Sequence, residues 1–188
     1  MGAPSRAWAR ALAEHERAVD ALAAELRSVP PRYWHRASRG GGWSPGLIAD
    51  HVRRSYVLGL EATRGAPTMR LRVPPVTAWL SGKLMLPVLL ALGRFPTGAE
   101  SPEEVQPDHA VASRTAPDAA IATLRATAQE AAAALCAADP AQVRVTHAYF
   151  GSLSPRMALR LLSAHTQHHA RQLDAHAYAR LLRPAGPA

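Results

Sequence analysis

The sequence SAHTQHHARQL, Ser163 to Leu173, gathers three of the chain's nine histidines within five residues near the C-terminus. If this stretch is helical, His165 and His169 stand one turn apart on the same face, with roughly 6 Å between their Cβ atoms. At about 100° per residue the apolar stripe runs through these two histidines, while His168 points to the side. Two imidazoles at this spacing can converge on one divalent cation. The stretch therefore predicts a helix that carries a pair of metal ligands on its buried face.

A second interpretation of the same pair requires no metal. A histidine on a core face is commonly a hydrogen-bonded packing residue, and two of them on one stripe leave both interpretations open. A further histidine on a facing helix would favour the metal site, because bundles build such sites from side chains on facing helices.

His51 supplies this third candidate. The segment Trp43-Ser44-Pro45 marks a helix start, since serine is a preferred N-cap and proline suits the first helical position. In the predicted helix His51 shares a face with Leu47 and Leu58, so it points into an apolar seam of the same kind. The predicted metal ligands are therefore His51, His165 and His169.

Helical periodicity and helix-breaking residues predict an all-α protein, a four-helix bundle with an extra helical segment and a long loop between the second and third bundle helices. Ser5 is expected to cap the first helix. The segment around Val76 to Leu92 is expected to be one helix kinked or broken at Pro87, or two short ones. We expect a single domain over residues 1–188, with residues 1–4 and 184–188 flexible. The predicted helices cover about 5–29, 45–62, 76–92, 117–135 and 155–182, and residues 94–107 and 143–151 are expected to be irregular.

Composition narrows the class of partner. The chain has a formal net charge of +8 and a pI near 10.9, values that often accompany nucleic-acid binding. The positive charge is almost all arginine, however, with Lys83 the only lysine, and it is scattered along the chain instead of forming a block. Nucleic-acid binding is therefore not expected. Cys136 is the only cysteine, so an intrachain disulfide is impossible.

The location of the protein is also predicted from the sequence. Arg6 and Arg10 are followed by Glu14 and Glu16 instead of an apolar signal-peptide core. The most apolar stretch, residues 76–93, is interrupted by a lysine and a proline and is short for a membrane span. We expect a cytoplasmic protein that does not bind a membrane. An exposed apolar helix over this stretch would have to be buried against another protein surface, which favours a homodimer.

Three groups of residues together resemble the DinB-like superfamily of metal-binding four-helix bundles. The first is Trp43-Ser44-Pro45 followed by His51. The second is the loop that begins with Arg94-Phe95-Pro96-Thr97-Gly98 and ends at Pro107. The third is His147-Ala148-Tyr149-Phe150-Gly151 followed by the histidine-rich stretch 163–173. The resemblance extends over nearly the whole chain.

The resemblance implies a bundle in which the second helix supplies His51 and the last helix supplies His165 and His169. It implies a Zn²⁺ or Ni²⁺ site with coordination positions open to water, and a protein that often dimerises. Members with known activities include transferases and isomerases that use low-molecular-weight thiols, and others are described as metal-dependent hydrolases. The expected partner is thus a small-molecule substrate, with a low-molecular-weight thiol as a further cofactor in the transferase case.

The chemistry of three neutral imidazoles agrees with both reactions. They leave a divalent ion with its full charge and an open position, which lowers the pKa of bound water to about 7 in catalytic zinc sites. A thiol in that position would likewise lose its proton. The sequence shows no H-E-x-x-H pattern, and it identifies no general base. His147 and His168 are the candidates for a supporting or proton-transfer role, and Gln172 either orients a ligand or caps the bundle seam.

The alternative function is a non-catalytic metal-binding or dimerisation module with a structural or vestigial site. A structural site is closed by a fourth protein ligand, for which His147 and His176 are the candidates, whereas a catalytic site keeps an exchangeable water.

Overall fold

A computed structural model describes residues 5–37, 42–92, 95 and 101–173 of the chain. Short 3-10 turns occupy Pro31–Tyr33 and Glu103–Val105. Within the described residues the elements in chain order are α1 (Arg6–Ser28), α2 (Pro45–Thr63), α3 (Pro75–Leu92), α4 (His109–Arg114), α5 (Pro117–Ala137), β1 (Val145–His147), β2 (Gly151–Leu153) and α6 (Pro155–Gln172).

Four of these helices form the predicted bundle. Helix α1 packs mainly against α6 and α5, and α2 packs mainly against α5 and α6, so α1 and α2 occupy opposite corners. Buried side chains from these helices, among them Leu22, Val52, Leu124 and Leu159, fill the centre. The prediction of an all-α bundle is confirmed, and α3 is the predicted extra helical segment between α2 and α5. The short helix α4 was not predicted.

A Ser-Pro pair begins each of the two helices that carry the site histidines, and it determines which helix face each histidine occupies. The Oγ atoms of Ser44 and Ser154 accept hydrogen bonds from the N–H groups of Leu47 and Met157, each at 3.4 Å. Proline follows each serine at the first helical position. Ser5 occupies the N-cap position of α1, but its side chain makes no capping hydrogen bond. The prediction that Ser5 caps this helix is therefore wrong.

Helix α3 is one continuous helix although it contains Pro87. Its inner face includes the buried residues Ala78 and Leu86, and Gly82 lies so close to the backbone carbonyl of Phe150 that a Cβ atom would collide with it. The outer face is apolar and open to solvent. Its large exposed side chains include Val76, Trp79, Leu80, Leu84, Val88 and Leu92.

Among the described residues, Pro75–Leu92 is the one helix that is long and apolar enough to cross a membrane by length and composition alone. The length of this stretch therefore does not by itself exclude a membrane span. A single helix of this kind is weak evidence for a membrane protein. The expectation that the protein does not bind a membrane stays a prediction.

We expect the outer face of α3 to be covered by a second copy of the chain, because contiguous exposed apolar surface marks interaction sites. Replacing Trp79 and Leu84, which are 61% and 62% exposed, by glutamate should convert a dimer into a monomer in sedimentation velocity. The matched control is the same pair of changes at Thr123 and Thr127 of α5, which are exposed and partly exposed. A wild-type protein that sediments as a monomer at high concentration contradicts this prediction.

The segment 143–151, predicted to be irregular, contains part of a short antiparallel hairpin. Val145 pairs with Leu153 and His147 with Gly151, whose φ of +68° favours glycine. The segment before α3 also binds β1, since Met69 N–H donates to the carbonyl of Thr146. The loop 94–107, where described, contains a 3-10 turn instead of being wholly irregular. Predictions that concern residues 1–4, 94, 96–98 and 174–188, including His176, lie outside the described residues.

Candidate metal centre

Three histidines from two helices meet at one point inside the bundle. Helix α2 supplies His51, and α6 supplies His165 and His169. The Nε2 atom of His165 lies 3.1 Å from Nε2 of His51 and 3.0 Å from Nε2 of His169. One ligand atom from each of the three lies within 4.8 Å of the others. The structure thus brings together the three residues that the sequence predicts as metal ligands.

Hydrogen bonds at the far side of two rings fix which nitrogen faces the centre. His51 Nδ1–H donates to the carbonyl oxygen of Val105 at 2.6 Å, and His169 Nδ1–H donates to Gln172 Oε1 at 2.8 Å. Because a neutral imidazole carries one proton, both Nε2 atoms then present lone pairs to the centre. Such bonds orient histidine ligands in metal sites and raise their basicity.

This donor set fits a divalent cation better than it fits hydrogen bonding among the rings. The Nε2 of His165 can donate at most one proton, so it cannot satisfy the lone pairs of both His51 and His169. At a Zn–N distance of about 2.0–2.1 Å, tetrahedral ligands are separated by roughly 3.3 Å. This value is close to the 3.1 Å and 3.0 Å that separate Nε2 of His165 from Nε2 of His51 and of His169. Neutral imidazoles are ligands that zinc and nickel accept. The cluster therefore fits a metal-binding site.

Burial keeps the three imidazoles uncharged. It lowers the pKa of His51 to about 4 and that of His169 to about 3. The pKa of His165 also lies well below its usual value, first because of burial and then because His169 and His51 are close. A charged imidazole would lose its hydration at this depth. At neutral pH the rings are therefore in the form that binds metal.

The segment after residue 100 is held in place by α2 itself. Asp50 is buried, pairs with Arg53 at 2.8 Å, and accepts the backbone N–H of Asp108 at 2.8 Å. This contact places Val105, three residues earlier, where its carbonyl meets His51. Asp50 thus supports the site through the segment 101–108.

Gln172 connects two histidines of α6. Its Oε1 accepts from His169, and its amide nitrogen donates to Nε2 of His168 at 2.9 Å. Of the two roles that the sequence left open for this side chain, the structure favours the orientation of a candidate ligand.

We expect Gln172→Leu to weaken metal binding by roughly ten- to a hundredfold, because the partner of His169 Nδ1 is lost. The measurement is competition for Zn²⁺ against a chelator of known affinity. Gln167→Leu is the matched control, since Gln167 lies on the same helix and is partly exposed. Equal affinities of the two variants would show that the bond to His169 does not matter for the site.

The three histidines line a pocket of about 850 Å³ together with His147 and His168. His147 lies outside the group of three, and its Nδ1 accepts the N–H of Tyr149 at 3.2 Å. Burial lowers its pKa to about 4, so it is neutral and carries its proton on Nε2. His168 uses Nε2 to accept from Gln172, which places its proton on Nδ1. In both rings the lone pair is already engaged.

Sequence reasoning missed two aromatic neighbours and one carbonyl group. The ring of Trp43 lies 4.4 Å from that of His51, and Phe95 lies 5.9 Å from His165, both measured between centroids. Trp43 precedes the N-cap, and a large apolar residue there often packs against the first turns of the helix, which is a usable signal. The carbonyl of Val105 has no sequence signal, because every residue has one.

Comparison with protein families identifies the fold. A sequence model described as the DinB superfamily matches residues 6–173, which include all three site histidines. The chain belongs to the DinB superfamily. This match confirms the resemblance drawn from the sequence motifs. Comparison with curated proteins and with solved structures gives no further match. Membership of the DinB superfamily supports the metal-binding site, and the reaction has to be argued from the site.

Proposed function

We propose that this protein is a metal-dependent enzyme acting on small molecules, as a hydrolase or as a transferase that uses a low-molecular-weight thiol. His51, His165 and His169 hold the metal, which is Zn²⁺ or Ni²⁺. The observation that carries this proposal is the convergence of three Nε2 atoms on one point in the wall of a large pocket.

The number of ligands supports a catalytic site over a structural one. Among the described residues, the group of acidic, cysteine and histidine side chains around this point consists of the three histidines. A structural zinc site has four protein ligands, whereas three protein ligands leave a position for water or substrate. His147, a candidate for closing the site, lines the pocket but does not belong to the group.

When bound, the metal supplies Lewis acidity at a position that either water or a thiol can occupy. The protein side chains contribute orientation and exclusion of bulk water. The carbonyl of Val105 and the side chain of Gln172 hold the rings of His51 and His169. The rings of Trp43 and Phe95 lie beside those of His51 and His165. His147 offers Nε2–H to a substrate oxygen in the pocket. The lack of a free base among the described lining residues is compatible with both reactions, because a bound cation lowers the pKa of its own ligand.

The alternative, a non-catalytic metal-binding module, is favoured by one observation. Among the described residues, aspartate and glutamate are missing from the pocket lining, so a carboxylate base has no place there. A vestigial site would bind metal without turnover.

The test is metal analysis of tag-free protein, followed by assays of the Zn²⁺- and Ni²⁺-loaded forms. Ester and amide hydrolysis are compared with transfer of electrophilic substrates to added thiols. Turnover that is lost in the His165→Ala, His169→Ala variant supports the proposal, and dependence on thiol assigns the reaction class. Stoichiometric metal without turnover in either panel favours the non-catalytic module.

A further inference from the structure

The pocket above the histidines is unusual for a chain with so many charges. The sequence holds 22 arginine and lysine residues and 14 aspartate and glutamate residues. Among the described residues, the pocket lining includes none of them. A carboxylate, phosphate or ammonium group of a ligand would therefore lose its hydration without meeting an opposite charge from this part of the wall, which is costly. Away from the metal site, the described part of the lining therefore disfavours charged groups of a ligand.

Most of the remaining surface is hydrocarbon. Helix α3 contributes Met85 and Leu89, the hairpin contributes Phe150 and Leu153, and α6 contributes Leu161 and Leu162. Along α6 the lining extends from His169 back to Ala158, which at 1.5 Å per residue is roughly 16 Å. The cavity is thus an elongated apolar space with the imidazoles towards one end.

Several polar groups of the lining are already engaged within the protein. Ser55 donates to the carbonyl of His51, Thr68 bonds both backbone groups of Thr146, and Gln172 bonds two histidines. Ser101 Oγ is an exception, since it is buried and has no partner among the described residues. These walls therefore offer a ligand mostly van der Waals contact.

We infer that the pocket takes an uncharged, largely apolar molecule that carries one metal-binding group. The group sits at the three histidines, and the hydrocarbon part lies along α6 beneath α3. This inference names the substrate class of the proposed enzyme and so rests on the proposed function. A volume of about 850 Å³ is in the range of pockets that enclose small organic ligands.

The first test uses a series of alkyl hydroxamic acids, whose head group binds zinc. Calorimetric titration of the Zn²⁺-loaded protein with butano-, octano- and dodecanohydroxamic acid should show affinity rising roughly fourfold per methylene until the pocket is full. The monohydroxamate of octanedioic acid, which ends in a carboxylate, should bind at least about tenfold more weakly than octanohydroxamate. Affinity independent of chain length, or equal binding of the carboxylate analogue, overturns the inference.

Two neighbouring residues of α3 allow ligand binding in the pocket to be distinguished from binding on the outer face. Leu89 is partly buried and lines the pocket, whereas Val88 is 55% exposed on the outer face. Leu89→Gln should weaken octanohydroxamate binding several-fold and leave butanohydroxamate nearly unchanged. Val88→Gln should change neither. Equal effects of the two substitutions would place the apolar ligand on the outer face of α3 and overturn the inference.

A second measurement separates this inference from the proposed function. N-phenyl-1-naphthylamine, an uncharged fluorescent probe, should bind the metal-stripped protein and be displaced by alkyl alcohols in order of chain length. A protein that takes up no metal but keeps this displacement, with its sensitivity to Leu89→Gln, retains the apolar pocket and contradicts the metal-dependent function. A protein that binds metal but not the probe contradicts the pocket inference and leaves the metal site in place.

Discussion

Protein that carries His165→Ala and His169→Ala should purify without the near-stoichiometric zinc or nickel expected in the wild type. The two rings supply two of three Nε2 ligands, which lie 3.0 Å apart in the structure. A single remaining imidazole, that of His51, binds a divalent ion far too weakly to retain it through purification. Elemental analysis of both proteins, prepared without an affinity tag, is the measurement.

The control for this variant replaces two histidines that lie at the surface. His35→Ala and His109→Ala change side chains that are exposed and do not line the pocket, so metal content should stay at the wild-type level. Circular dichroism should show the same helical content in all three proteins, since the bundle core is formed by other side chains. Full metal content in the His165→Ala, His169→Ala variant would refute the assignment of this site.

The second large effect is loss of stability in acid, and His15 provides a way to isolate it. His15 is only 3% exposed, its Nε2 has no hydrogen-bond partner among the described residues, and its ring lies edge-on to Tyr56. Burial lowers its pKa from 6.5 to about 4. Protonation of His15 in the folded protein would place an unpaired charge in the core, which explains why its pKa is lowered.

The sign of the pH effect follows from proton binding. Between about pH 6.5 and pH 4 the unfolded chain binds a proton at His15 that the folded chain does not, so the free energy of unfolding falls as the pH falls. The full shift corresponds to about 3 kcal/mol from this residue, and most of it is lost by about pH 4.5. The other buried histidines act in the same direction.

The measurement is urea unfolding of metal-free protein at neutral pH and near about pH 5, for wild type and His15→Phe. Phenylalanine keeps an aromatic ring against Tyr56 but cannot be protonated, so the variant should lose roughly 2 kcal/mol less on acidification. His35→Phe, at an exposed position, should lose as much stability as the wild type. Equal losses in wild type and His15→Phe would show that His15 does not contribute to acid sensitivity.

The metal ligands were predictable because their signals are local. Histidines four residues apart share a helix face by the geometry of the helix alone. The Ser-Pro pairs at residues 44–45 and 154–155 define helix starts, and those starts set the faces that His51, His165 and His169 occupy. Periodicity then required these faces to be buried, and a bundle is the simplest way to bury them.

The sequence by itself thus determined the four bundle helices and the three histidines, because each depends on spacing within a short stretch. Only the tertiary structure decided the burial of His15, the hairpin, the carbonyl partner of His51 at Val105 and the largely apolar pocket beneath α3. These features join residues far apart in the chain, such as Val105 with His51 and Gly82 with Phe150. Periodicity reports which face of a helix is apolar, but it does not report what that face meets.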